Sequence, residues 1–332
     1  LTWGPNGQYI YIAELNRDQN HLKWAQYNPN SGLRIKTIYE ETNNKWVEPE
    51  YPIYFIPNKE NEFITLSERD GYMSLYHYNT AGKLIKKILE NKWVITKVLD
   101  VLENKIFFEG TGEDPRSVHA FSINIDGTKL KKITNEKGIH STQISPNHKF
   151  ILDQYSNSKT PGITQLINLE NFKTTLIHES ENPLDNYSIG KTEMLKITNS
   201  NNDELYGRLI KPLNFDENKK YPVLIYVYGG PHAQLVKNNW LNGASLWMYW
   251  MAQQGYLIFT IDGRGSENRG FEFESSIFRN LGINEMKDQI TGLDYLKSLS
   301  YVDSNRVALH GWSYGGFMTT SLMTQYSNLF TC

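Results

Sequence analysis

Gly311-Trp312-Ser313-Tyr314-Gly315, with Gly316 following, is the stretch best suited to chemistry. Its pattern is G-x-S-x-G, which chance would place about 0.1 times in a chain of this length and glycine content. The apolar run Arg306-Val-Ala-Leu-His310 reads as a strand ending just before it, and a helix from about Tyr314 to Tyr326 begins just after it. A strand-to-helix turn of this kind lifts a serine oxygen clear of a sheet, and small flanking residues let the chain turn that sharply. The helix N-terminus behind the serine then stabilises negative charge. Ser313 is thus a candidate nucleophile, against the plainer reading of a glycine-rich turn with an incidental serine.

A second motif, Tyr226-Val-Tyr228-Gly-Gly-Pro-His232, ends the apolar strand of residues 223–228. Alone, Gly-Gly-Pro is a tight turn. Two strands before a nucleophile turn, it stands where one oxyanion donor comes from in an α/β-hydrolase, the other being the N–H of the residue after the serine. The candidates are the Tyr228 hydroxyl and the Tyr314 N–H. A third motif, Asp262-Gly-Arg-Gly-Ser266, ends the intervening strand, and its charged pair Asp262 and Arg264 reads as a structural brace.

Two kinds of architecture must carry these residues. From about residue 190, a hairpin across residues 200–203 leads to strands near 223–228, 256–261 and 306–310. These alternate with helices near 245–254, 284–299 and 314–326. Such alternation specifies an α/β sheet with right-handed crossovers. Before it, Asn6, Asn58, Asn104 and Asn147 mark a weak repeat at spacings of 52, 46 and 43 residues. A second turn follows each: 30–32, 80–82, 126–127 and, less clearly, 170–171. Two turns per period of about 45 residues describe a four-stranded antiparallel blade of a propeller; a β-sandwich is the alternative. The expected domains are a partial propeller of about four blades over residues 1–185 and an α/β-hydrolase part over 186–332, with the boundary near Asn182-Pro183.

Composition excludes several classes. The 34 Lys+Arg against 36 Asp+Glu give a net charge of -2, unsuited to nucleic-acid binding by bulk electrostatics. One cysteine, Cys332, excludes an internal disulfide framework and multi-cysteine metal sites. No G-x-G-x-x-G follows the first parallel strand, so a dinucleotide cofactor is not expected. The chain opens at Leu1 without a signal-peptide pattern and stops just after a helix, so it reads as a fragment.

Val227-Tyr228-Gly-Gly-Pro, Asp262-Gly-Arg-Gly-Ser266 and Gly311-Trp-Ser-Tyr-Gly-Gly316, in this order, resemble the dipeptidyl peptidase IV branch of the prolyl oligopeptidase family. The runs 228–234 and 310–320 most resemble its bacterial prolyl tripeptidyl peptidases. The resemblance implies Ser313 as nucleophile, with Tyr228 and Tyr314 as side-chain and backbone oxyanion donors. It implies removal of an N-terminal di- or tripeptide after proline, through an acyl-enzyme, in a chamber between propeller and hydrolase. Peptides with proline near the N-terminus are the expected partners, with no metal and no organic cofactor. Export to the periplasm or cell surface and a homodimer are further expectations; an oligopeptidase, an acylaminoacyl peptidase or a non-catalytic scaffold are alternatives.

In this hydrolase order the acid and then the histidine follow the serine, so both are expected outside residues 1–332, and these residues alone are expected to be inactive. His310, three residues before Ser313, and His232 are poor substitutes for the base. Glu40-Glu41 imitates the family's amine-binding glutamate pair, but its place in the repeat does not match, and a solvated charge pair is expected instead. The strand of residues 306–310 is expected to leave an open apolar sheet edge and poor solubility.

Overall fold

The computed structural model describes residues 1–332, which divide into two compact units. One comprises residues 1–136, 140–153 and 165–175; the other comprises 137–139, 154–164 and 176–332. Four four-stranded antiparallel sheets follow one another along residues 2–179, each a simple meander with strands in chain order. They are the propeller blades expected from the repeat.

Turn chemistry sets the blade period. Asn28, Asn79 and Asn168 each accept backbone N–H bonds from the turn after the third strand of their blade, and Asp126 does the same for Thr128. A left-handed residue completes each turn: Gly32, Gly82 and Gly127 in three blades, Phe172 in the fourth. That substitution explains why the fourth turn is the least legible of the set.

The second and third blades bury both faces of their inner strands against their neighbours, as stacked repeats must. Lys105–Gly110 is buried after its first residue, and Ser74–Asn79 up to its last. Tyr11, Trp24 and Ile38 of the first blade share a core with Phe63, Tyr76 and Tyr78 of the second. Ile64 and Leu75 of the second share another with Ile106, Phe108 and Phe121 of the third. The fourth strand of the last blade, Thr174–Glu179, is exposed along its length.

The hydrolase sheet has five strands in the order Thr192–Thr198, Glu204–Ile210, Leu257–Asp262, Tyr221–Tyr226, Val302–His310. The last three are parallel and the first two form an antiparallel hairpin. The unbroken apolar runs are covered on both faces. Val223 and Ile225 face the helices Asn284–Lys297 and Tyr314–Gln325, whose Leu293, Leu296, Met318 and Leu322 complete that core. Leu224 and Ile258 face the helix Leu246–Gln253 through Met248, Tyr249 and Ala252.

The edge strand is less open than expected. Leu309 N–H donates to the Cys332 carbonyl at 2.8 Å and Thr331 N–H to the Val307 carbonyl at 2.7 Å. Residues 331–332 thus add a short rung along Val302–His310. No helix is long and apolar enough to cross a membrane.

Candidate active site

Tyr221–Tyr226 is the first parallel strand in sequence but lies between the other two, so the chain crosses over it between Leu257–Asp262 and Val302–His310. At such a switch point the strand ends open into a crevice, the usual ligand position of an open α/β sheet. All three sequence motifs leave the sheet there, at the carboxyl ends of these strands.

Ser313 has φ 56° and ψ −124°, neither strand nor helix, and the helix Tyr314–Gln325 starts at the next residue. A non-glycine residue held so far from its preferred basins stores roughly 1–3 kcal/mol of strain. What holds it is close backbone packing. A Cβ on Gly311 would lie 2.5 Å from the carbonyl oxygens of both Gly315 and Val227. One on Gly315 would lie 2.3 Å from the Val227 oxygen. The glycines therefore let the turn press onto the backbone of Val227 and Tyr228, while the serine side is exposed.

This packing also brings the candidate oxyanion donors together. Tyr226 is registered with His310, and Val227 N–H donates to the His310 carbonyl at 2.9 Å. The rings of Tyr228 and Tyr314 lie 6.2 Å apart. Gly230 makes that possible, because a Cβ there would stand 2.6 Å from the Tyr228 ring and 3.2 Å from that of Tyr314. Ser313 thus stands exposed at the N-terminus of the helix Tyr314–Gln325, where the helix dipole favours negative charge.

The two histidines near the motifs have these surroundings. The His310 ring packs against Trp247 at 4.8 Å and Tyr226 at 5.8 Å. His232 is left-handed, with φ 58°, and its N–H donates to the Gly265 carbonyl at 2.8 Å, tying the loop after Tyr228 to the loop after Asp262.

Asp262 and Arg264 are braces, though not for one another. The Asp262 carboxylate accepts the N–H groups of Leu235 at 2.9 and 3.0 Å and Val236 at 2.8 Å, anchoring the loop that carries Tyr228-Gly-Gly-Pro. Burial pushes its pKa up to about 6, against the lowering effect of these two bonds. Arg264 donates instead to Asp288 of the helix Asn284–Lys297, at 2.9–3.2 Å from its guanidinium and 2.7 Å from its N–H. Glycine at 263 admits this approach, since a Cβ there would lie 2.9 Å from that of Asp288.

Two supporting residues escaped the sequence reading. Arg208, 1% exposed, donates to the carbonyls of Leu235 and Asn242 and to Thr260, clamping the same loop from below. Burial lowers its pKa to about 10. Glu285, also 1% exposed, accepts the Tyr314 hydroxyl at 2.7 Å. No periodicity or motif marks a buried charge whose partner is far away in sequence.

The Glu40-Glu41 pair is only half as expected. Glu40 is exposed and pairs with His21 and Lys23. Glu41 is buried beneath Arg69, which donates to it at 2.7 Å, and also accepts from Ser67 at 2.7 Å and from Tyr39. Arg69 in turn lies over the rings of Tyr39, Tyr76 and Tyr78 at 4.8–5.8 Å.

Comparison with known proteins agrees with both parts. Residues 1–162 match the family described as dipeptidyl peptidase IV (DPP IV) N-terminal region, and residues 243–332 match the prolyl oligopeptidase family. Human dipeptidyl peptidase 8 is 28% identical, covering 99% of this chain and 43% of its own length. A protein of Arthroderma gypseum named as a dipeptidyl-aminopeptidase B is 30% identical, with 97% and 37% covered. A Bacteroides ovatus crystal structure, named as a dipeptidyl aminopeptidase IV, superposes with a TM-score of 0.94 at 40% identity, over 99% of this chain and 50% of that one. Porphyromonas gingivalis dipeptidyl peptidase 4 gives 0.91 at 27% identity, over 98% and 46%. The chain therefore spans half or less of the length of these relatives. With one match on the blades and the other on the strand and helix that flank Ser313, the chain belongs to the prolyl oligopeptidase family, in its dipeptidyl peptidase IV branch.

Proposed function

We propose that the full-length protein is a serine exopeptidase that releases N-terminal dipeptides, or tripeptides, after proline. The observation that carries this reading is the backbone of Ser313, held at φ 56° and ψ −124° by glycines packed onto Val227 and Tyr228. In the proposed reaction Ser313 Oγ attacks the carbonyl carbon of the scissile amide and gives its proton to a histidine base. The carbonyl oxygen becomes an oxyanion held by the Tyr228 hydroxyl and the Tyr314 N–H. Collapse expels the amine, which takes the proton back, and water then releases the acyl group from Ser313 by the reverse sequence. The base and its carboxylate are assigned to the part of the full-length protein outside residues 1–332, because in this hydrolase order both follow the serine. Export and self-association in solution belong to the same proposal, and cell fractionation and light scattering read them.

The test uses the full-length protein with chromogenic amides of Gly-Pro, Ala-Ala-Pro and N-blocked Ala-Ala-Pro, beside Ser313→Ala. Cleavage of a free-amine substrate, abolished by the substitution, is expected, and the preferred substrate fixes whether two or three residues leave. Equal cleavage of the blocked amide would replace the exopeptidase with an oligopeptidase. No cleavage at all would leave a propeller-hydrolase scaffold without this activity.

A further inference from the structure

Glu285 sits in the first turn of the helix Asn284–Lys297, almost wholly buried, and has no role in the chemistry above. Its oxygens accept the N–H of Gly282 at 3.0 Å each and that of Ile283 at 3.1 Å. Those bonds cap its own helix. The remaining bond leaves the element: the Tyr314 hydroxyl, 29 positions on, donates to Oε1 at 2.7 Å. The nearby guanidinium of Arg264 is committed to Asp288 instead. A buried carboxylate held only by neutral donors is costly unless each bond is good, and a charged acceptor makes the phenol bond about twice as strong as a neutral one.

Tyr314 is the residue whose N–H faces the proposed oxyanion. Its ring is bounded by Phe317 at 5.2 Å, edge to face, by Tyr228 at 6.2 Å and by the backbone of Gly230. Gly282 shares the arrangement, since a Cβ there would press into the Phe317 ring at 2.8 Å. The start of one helix is thus locked to the start of the other at the nucleophile.

We propose that Glu285 is a positioning residue for acyl transfer at Ser313: by holding the Tyr314 hydroxyl it fixes the Tyr314 N–H and, through ring contact, the Tyr228 phenol. The inference rests on the peptidase reading above. Small displacements of such donors cost rate rather than binding, because the charge they meet develops only in the transition state.

The experiment uses the full-length protein with Tyr314→Phe, Glu285→Gln and the pair combined, each assayed for kcat and KM on the preferred amide. Gln keeps an acceptor for the Gly282 and Ile283 N–H groups, so folding is preserved while the charged bond is lost. Each single variant is expected to lose about 10-fold in kcat, part of the 10²–10³ that a whole donor supplies, with KM changed less than about 3-fold. The double variant is expected to be no slower than the slower single one, because both remove the same bond. In parallel, 3-fluorotyrosine at position 314 gives a ¹⁹F resonance expected to shift or split on Glu285→Gln. Unchanged kcat in either single variant, multiplying losses in the double, or an unmoved resonance would overturn the proposal. A resonance that moves in a protein cleaving no amide would overturn the peptidase reading and leave the Glu285–Tyr314 contact standing.

Discussion

Two glycines that look equivalent in the sequence, Gly315 and Gly316, face different surroundings at the nucleophile turn. A Cβ at 315 would enter the Val227 carbonyl oxygen at 2.3 Å, and backbone cannot swing aside as a long side chain can. At 316 it would meet only the Gly311 oxygen at 3.8 Å, an ordinary contact. Gly315→Ala is therefore expected to push the turn off Val227, misplace Ser313 and lower the kcat proposed for the full-length protein by about 10²-fold or more. Gly316→Ala lies inside the helix Tyr314–Gln325 and should leave kcat within about 2-fold while adding roughly 0.5–1 kcal/mol of stability. Steady-state rates and urea midpoints of the two variants check both halves. The sequence pattern marks Ser313, Tyr228 and Tyr314 as candidates because the pattern is carried by local spacing. It is silent on which glycine is sterically obligatory, and on Glu285, because both depend on atoms contributed by distant segments.

Between elements, charge is used to tie loops to the sheet. Asp288 is fully buried and receives the Arg264 guanidinium, Arg264 N–H and the Asn199 side chain. Asp288→Ala would strand a buried guanidinium, and such losses cost about 3–5 kcal/mol. The urea midpoint of the hydrolase unit should fall accordingly; a midpoint unchanged from wild type would show that the brace is dispensable. Asp262 predicts a pH dependence of opposite sign to that of an ordinary paired carboxylate. Burial lifts its folded pKa to about 6, above the ordinary aspartate value, so the folded chain binds this proton more tightly. The stabilisation is complete below about pH 4 and is lost as pH rises to 6, on the order of 3 kcal/mol in all. Asp262→Asn lacks the titration. Between pH 4 and 7 the stability of wild type relative to this variant should fall by that amount, whereas parallel profiles would contradict the burial argument. Strands and helices of this unit are legible because apolar periodicity is a property of consecutive residues. Asp262 and Arg264 are legible as braces for the same reason, but their partners are not: Leu235, Val236 and Asp288 are chosen by the fold.

At the scale of the whole chain, the blade period is readable because each blade repeats the same turn chemistry, and it fades at the fourth blade, where Phe172 takes the left-handed position that glycine holds elsewhere. The partial cover of the sheet edge is not legible for a related reason: pairing by Thr331 and Cys332 involves two residues with no pattern of their own. The boundary between domains is best placed where the backbone has the fewest ties. Residues 181–190 are largely exposed, form no strand or helix, and are held mainly by local turns, Asp185 N–H to the Asn182 carbonyl and Tyr187 N–H to the Leu184 carbonyl, with Gln253 donating to the Ser188 carbonyl at 3.0 Å and Leu184 and Ile189 resting against the core of the helix Leu246–Gln253. Tyr187 is 68% exposed within this stretch. A protease needs several extended residues on either side of the scissile bond, which strands and helices refuse and such a linker supplies. Brief chymotrypsin treatment is therefore expected to cut first after Tyr187, giving an N-terminal piece with all four blades and a C-terminal piece with the five-stranded sheet and Ser313. N-terminal sequencing of the second piece should begin at Ser188. First cleavage within residues 137–179 would place the boundary through the fourth blade and show that this sheet is less stable than the linker that follows it.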